Sequence, residues 1–448
     1  MNDKSSLPEV HFFNQALNDL GHSSVGEYLF KYLNNLKAKT YIIENKYIDK
    51  DYLIDFSNFY SRSFDIDEKF TTRLHFFSPF FSDKDLKRLL IDYDEKILEK
   101  LNSTYLGFVV IKPIHDSNGC PIIGRTVLKT YPLKDKGECR YFVTGLHNLS
   151  FFGIPLKIKA LPFQTQDKAV GACATAACWI ASHPLNDLFG IPKHSPFEVT
   201  EKSVVFPSLE RNYPSEGLSL YQMKNYFNSI GLETEFIDVR NIHKYQDYTA
   251  DDDIVTDVVR AYTKIKLPII ATLRLTGENN SAFHAAVISG YRHKHGTLKE
   301  LYVHDDQIGP YSKVIPIGKF TEWDNEWVKN GEFSHLYVDH LIVPIYPKIR
   351  LSFARIYNIF LKKHKRNAEQ FESTHGTKFT TTLYLMEVRK YKEFIWKHPC
   401  KDKEEVLTEH FPRFLWVIRY TYHGGLIMDY VYDGTSVFPK ELRVIDFL

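Results

Sequence analysis

The stretch from Gln164 to Trp179, QTQDKAVGACATAACW, constrains this chain more than any other. Behind Gly171 and Ala172 it places a thiol, Cys173, and then only small side chains until Cys178 and Trp179. Small residues let a helix lie close against a sheet, and the composition predicts such a helix over 169–181. With Cys173 in its first turn, unpaired backbone N–H groups point at the sulfur and stabilise a thiolate. Taken alone, the stretch reads more simply as an Ala-rich core helix with two inert cysteines, because free Cys is among the most buried residue types.

Two features further along shift that balance. Residues 282–291 (AFHAAVISGY) form a strand pattern interrupted by one imidazole, His284, with Ala286 and Ile288 on the same face. Residues 301–310 (LYVHDDQIGP) form a second strand that ends in carboxylates before a Gly-Pro turn. A single His in a strand is ordinarily a satisfied core or edge residue, and a carboxylate at a strand end is an ordinary turn residue. A thiol opening a helix, with a His and an Asp on adjacent antiparallel strands, is a more specific combination. It supplies a nucleophile, a base and a group that orients the base.

The chain carries, in order, Cys173-Ala-Thr-Ala-Ala, Gly217-Leu-Ser, Lys266-Leu-Pro-Ile-Ile, His284-Ala-Ala-Val-Ile-Ser-Gly-Tyr and Asp305-Asp-Gln-Ile-Gly309. This series resembles the papain-like cysteine peptidases of the double-glycine leader peptidase type, over residues 160 to about 318. The resemblance implies an α+β chain whose central papain-like domain packs a Cys-bearing helix on an antiparallel sheet. It implies Cys173 as nucleophile, His284 as general base and acid, Asp305 as orienting carboxylate and Gln166 as oxyanion donor. Asp305 is preferred to Asp306 because it stands four residues before Gly309 and shares the strand face of Leu301 and Val303. The chain departs from the family at Ala174, where Gly is usual, and at Asp306, where Pro is usual. The family position of the Gln, about six residues before the Cys, falls on Asp167. Gln166 therefore requires a one-residue bulge, with Gln164 as the fallback.

On this reading the chain is a cysteine peptidase-like hydrolase. It would cleave an amide bond in a peptide or protein substrate through a thioester, with no cofactor and no metal. Two alternatives stand beside it. The same triad could serve another acyl transfer, such as transglutamination, deamidation or acetyl transfer; or the domain could be an inactive papain-like recognition module.

The flanking sequence predicts three domains. Residues 1–155 form an N-terminal accessory domain, mostly helical to about residue 105 and then β. Residues 156–346 form the peptidase-like domain and residues 347–448 a C-terminal α+β accessory domain, and the flanking domains could hold a protein partner. Within them, Ser82 caps a helix that carries Leu86, Leu89, Leu90, Tyr93 and Ile97, and Tyr105–Ile114 reads as a strand. Ser219 and Gln222 form a capping box, Asp251–Asp253 open another helix, and a basic helix runs around Ile356–Arg366.

Composition excludes several functions. Lys+Arg minus Asp+Glu is 57 − 55 = +2, which leaves no bulk field for nucleic acid or an anionic membrane. No secretory signal and no apolar run of about 18 residues is evident. Five scattered cysteines fit neither a disulfide framework nor a zinc site, so a cytoplasmic location with reduced thiols is expected. The pair His293 and His295 lies in a polar turn and reads as solvated, as does the basic face Lys362–Arg366.

Overall fold

The computed structural model describes residues 8–62, 68–92, 94–135, 138–167, 172–205, 217–245, 247–278, 280–294, 296–376 and 379–447. It is mixed α plus β with antiparallel sheets, and the chain divides into two compact units. The first comprises Met1–Pro132, Thr144–Ser229 and Val303–Ser312; the second comprises Leu133–Val143, Ile230–Tyr302 and Lys313–Leu448. Among the described residues, no helix is long and apolar enough to cross a membrane.

The first unit is built on an antiparallel meander of β1 (Val10–Phe12), β2 (Thr40–Tyr47), β3 (Thr71–Phe77), β4 (Tyr105–His115) and β5 (Pro121–Leu128). Helices fill the connections: α1 (Ala16–Leu20) and α2 (Ser24–Asn35), then α3 (Lys50–Asn58), then α4 (Asp83–Ile91) and α5 (Glu95–Thr104). Helices hold most of the regular structure up to residue 105, and three strands, β1 to β3, lie among them. Their apolar residues, such as Ile42, Leu74 and Phe76, are buried in the sheet, and burial outweighs weak local helical spacing.

The one helix expected from Ser82 past Ile97 is two. Ser82 and Asp85 form a capping box on α4, and the backbone becomes extended at Asp92. Asp94 then recaps the chain, accepting from the N–H groups of Lys96 and Ile97 at 2.8 and 3.3 Å. An Asp that can satisfy two orphan donors starts a new helix rather than continuing the old one. Tyr93 lies outside the described residues.

The hairpin β8 (Gly145–Phe151) and β9 (Ile154–Ala160) leads into an extended segment, 161–167, that covers the free edge of β5. Phe163 and Thr126 exchange N–H···O bonds of 2.7 and 2.8 Å, and Thr165 donates its N–H to the Ile123 carbonyl at 3.1 Å. Next come α6 (Cys173–Phe189), α7 (Pro196–Ser203) and α8 (Leu220–Ser229). Every residue of α6 from Ala174 to Leu185 is buried, as small side chains on all faces permit. Of the helix expected over 169–181, residues 169–171 lie outside the described ones. Ser219 and Gln222 reciprocate as the capping box at α8, at 2.8 and 3.3 Å.

The second unit contains β6 (Lys134–Asp135), β7 (Glu138–Phe142), β10 (Glu233–Asp238), β11 (Ile269–Thr276), β12 (Ser281–Lys294), β15 (Lys319–Asp324) and β16 (His335–Ile345), and β13 (Thr297–Asp305) and β14 (Gly309–Ile317) belong to it outside residues 303–312. The strand order is β10-β16-β15-β14-β13-β12-β7-β6, and β11 pairs with both β12 and β16. Strands β11 to β16 thus close into a ring, which removes their free edges. The helix α9 (Ile254–Thr263) is capped by Asp253, and the short α10 (Glu326–Lys329) follows β15. Helix α11 (Phe353–Ile359), a π-helix over Phe360–Lys365 and α12 (Arg366–His375) replace the single basic helix expected there. They precede a four-stranded sheet of β17 (Thr380–Glu387), β18 (Phe414–Tyr422), β19 (Gly425–Asp433) and β20 (Glu441–Asp446), with α13 (Val388–Lys397) and α14 (Lys403–Thr408) between β17 and β18.

Segment 303–312 is held in the first unit by close packing. Gly309 has φ +147°, and a Cβ there would fall 2.1 Å from the Tyr28 ring. Gly153, in the same unit, has φ +92° but open space around it. Gly309→Ala should therefore lower the urea midpoint of unfolding well beyond Gly153→Ala, which bears backbone strain alone. Equal losses would mean that the Tyr28 contact is not limiting.

Candidate active site

In the first unit, two hydrogen-bonded pieces of chain carry candidate side chains. His304 is fully buried, and burial pushes its imidazole down to about 3, so it is neutral. Its Nε2 lies 3.0 Å from the Leu161 carbonyl, while Nδ1 accepts the N–H of Tyr311 at 3.3 Å. These partners fix the tautomer, because a carbonyl can only accept: the proton is on Nε2. Tyr311 returns the contact, its hydroxyl accepting the Leu161 N–H at 2.9 Å. Segments 161–167 and 303–312 are locked together in this way.

Gln166 and Asp306 line one cleft of about 640 Å³ that these pieces share with Ile114–Ile123 and the start of α2. Gln164 does not line this cleft: it is 3 % exposed and borders, with Gln166 and with Thr175 and Ala176 of α6, a cavity of about 10 Å³. Such a space holds about one water. Asp305 is buried and accepts the Gln307 N–H at 3.0 Å within its own turn. Asp167, at the family position of the Gln, pairs with Lys112 of β4 at 3.0 Å, both side chains being buried. The bulge expected between Gln166 and Gly171 falls on residues 168–171, outside the described ones.

Cys173 is the first residue of α6 and is half-buried. The N-cap, Ala172, offers no side-chain hydrogen bond to that helix terminus. Gly217, from the Gly-Leu-Ser motif, packs behind it: a Cβ on Gly217 would stand 2.9 Å from that of Ala172. Cys178, one turn further on, is fully buried, and burial pushes its thiol well up, out of use as a nucleophile.

In the second unit, His284 is buried on β12, opposite Leu273 of β11. Its ring meets the Trp327 indole of α10 edge-to-face, with centroids 4.8 Å apart. His293 stacks on Tyr141 at 5.5 Å, whereas His295 lies outside the described residues.

Sequence reading missed Lys112 and Trp327. Lys112 had a signal, a lone charge inside the otherwise apolar run of β4. Trp327 had none, because a four-residue helix after a strand leaves no periodic trace.

Lys112 belongs to a buried cluster in which two cations, Lys112 and Arg125, face four carboxylates, Asp49, Asp51, Asp55 and Asp167. Arg125 lies 2.8 Å from Asp49. With two positive charges too few, the cluster retains protons. Burial and the Asp49 charge push Asp51 up to about 6, against Arg125. Burial, partly offset by Lys112 and reinforced by Asp167, pushes Asp55 up to about 8. The folded state keeps a proton on Asp55 that the unfolded chain releases near 4, so this contribution to stability is present below about pH 4 and is lost as the pH rises to about 8. Asp55→Asn keeps the oxygen that accepts the Phe197 N–H at 3.1 Å and cannot ionise. Its urea midpoint relative to wild type should improve from pH 5 to pH 8.5. A pH-independent difference would contradict the raised carboxyl.

Comparison with protein families and with curated proteins returns no match for the chain.

Proposed function

We propose that the chain is a papain-like cysteine hydrolase that cleaves an amide bond of a peptide or protein substrate, with Cys173, His284 and Asp305 as its triad. The observation that carries this reading is the position of Cys173. It is a half-buried thiol at a helix N-terminus whose N-cap side chain makes no capping hydrogen bond, and residues 174–185 behind it are buried. The first N–H groups of an α-helix have no intrahelical acceptor and favour negative charge at that end, both on a thiolate and on an oxyanion beside it.

In this mechanism His284 takes the thiol proton and the sulfur attacks the carbonyl carbon. The tetrahedral oxyanion is met by the Gln166 amide and the Cys173 N–H. The C–N bond then breaks, His284 gives its proton to the departing amine, and a thioester remains. Water attacks that thioester with His284 again as base, releasing the acid and the thiol. Asp305 orients the imidazole. The closed ring of β11 to β16 supports the reading as a rigid carrier for His284.

A peptide bearing a thiol-reactive group in place of its scissile amide should label the intact protein at Cys173 and leave folded Cys173→Ala unlabelled. Gln166→Ala should slow acylation about a hundredfold, the effect of one oxyanion donor worth about 3 kcal/mol, with little change in stability. Gln164→Ala should act the other way, lowering stability because the side chain is buried. Labelling spread over several cysteines, or a larger acylation defect in Gln164→Ala, would sink the assignment.

A further inference from the structure

The second unit contains a groove of about 790 Å³ that plays no part in the proposed acyl transfer. Its floor is the junction between α11 and the π-helix. In that wider turn Phe360, Leu361 and His364 are buried, while Lys362 and Lys363, adjacent in sequence, both face the groove. Hydrogen bonding from i to i+5 stacks residues four and five apart on one face, so Asn358 and Ile359 line the same wall as the two lysines. Short π-helical turns recur at functional sites for this reason.

His364 anchors the turn from below. It is 1 % exposed and bridges two phenols, with Nδ1 3.0 Å from the Tyr420 hydroxyl and Nε2 3.1 Å from that of Tyr432. The Tyr432 hydroxyl also lies 3.0 Å from Glu441, and Lys363 pairs with the same carboxylate at 3.1 Å. That fixes one lysine and one acid. Lys365 and Arg366 pair with Asp252, and Arg366 also donates to the backbone carbonyl of Asp247 at 2.8 and 3.1 Å, so neither cation is among the lining residues. Lys244 and Lys362 line the groove and, among the described residues, make no ion pair. With Asp247 and Glu441 the lining carries three positive and two negative charges, 3 − 2 = +1.

We propose that this groove binds a phosphate-bearing small molecule, the phosphate held between Lys244 and Lys362, with Lys363 able to join them from Glu441. Two or three ammonium groups suit an anion that carries about two charges and several acceptor oxygens; one carboxylate would engage one of them. Ile359 and Pro439 give an apolar wall for the organic remainder, and the volume lies in the range of small-molecule sites. Asp247 and Glu441 are the opposing charges in the lining, and Asp247 tunes affinity downward.

The test is calorimetric titration of the full chain with pyrophosphate at fixed ionic strength, with sodium chloride and acetate as controls. Saturable binding is expected for pyrophosphate alone. Lys244→Ala and Lys362→Ala should each weaken it tenfold or more, and Asp247→Asn should tighten it several-fold. Lys87→Ala, an exposed lysine on α4, should leave it unchanged. Absence of saturable binding would overturn the proposal. So would binding that survives Lys362→Ala, or that acetate reproduces.

Discussion

The buried ion pair between Lys112 and Asp167 is the contact on which the first unit's cleft depends. Both side chains are nearly inaccessible, so removing either would strand the other's charge, typically at a cost of about 3 to 5 kcal/mol. The pair joins β4 of the meander to the end of the extended segment 161–167. With the Phe163 and Thr165 bonds to β5, it fixes segment 161–167 along a sheet edge that would otherwise be open. Gln166 sits between these anchors, which is how a residue without regular secondary structure acquires a defined position. The same segment is bound through Leu161 to His304 and Tyr311, so Asp305 and Asp306 are placed by the chain that places Gln166.

A surplus of carboxylates around Lys112 and Arg125 gives this arrangement a proton dependence. A buried pair with matched charges would be insensitive to mild pH change. Four acids against two bases are not matched, and Asp55 holds its proton near neutrality because burial, and after it the Asp167 charge, outweigh the attraction of Lys112. Lys112 is therefore shared, and its hold on the cleft segment is strongest when Asp55 is neutral.

Much of this was legible in the sequence. The α8 capping box, the aspartate opening α9 and the strands from Ile269 to Ile317 follow from patterns with a local cause: a side chain that satisfies an orphan N–H, or an apolar run between turn residues. The strands β2 and β3 were hidden. Their mixed residues, as in TYIIENKY, become strands through pairing with partners far away in the chain, which a local window does not contain. The break between α4 and α5 turned on one aspartate outcompeting helix continuation. Asp167 was visible as a departure from the Gln position, but its reason, a lysine 55 residues earlier, required the fold. The passage of the chain back and forth between two units likewise leaves no mark in composition.

The central claim is that Cys173 is a nucleophile assisted by His284, and the relative reactivity of the cysteines tests it most directly. Cys120, Cys139 and Cys400 are also half-buried and free, so they serve as internal references within the same molecule. Residue-resolved mass spectrometry after brief treatment with iodoacetamide at pH 7 would give all four alkylation rates. Cys173 should react at least tenfold faster than the other three, and His284→Ala should remove most of that advantage while leaving their rates unchanged. If Cys173 reacts no faster than the references, or is indifferent to His284, the chain is not the thiol hydrolase proposed here.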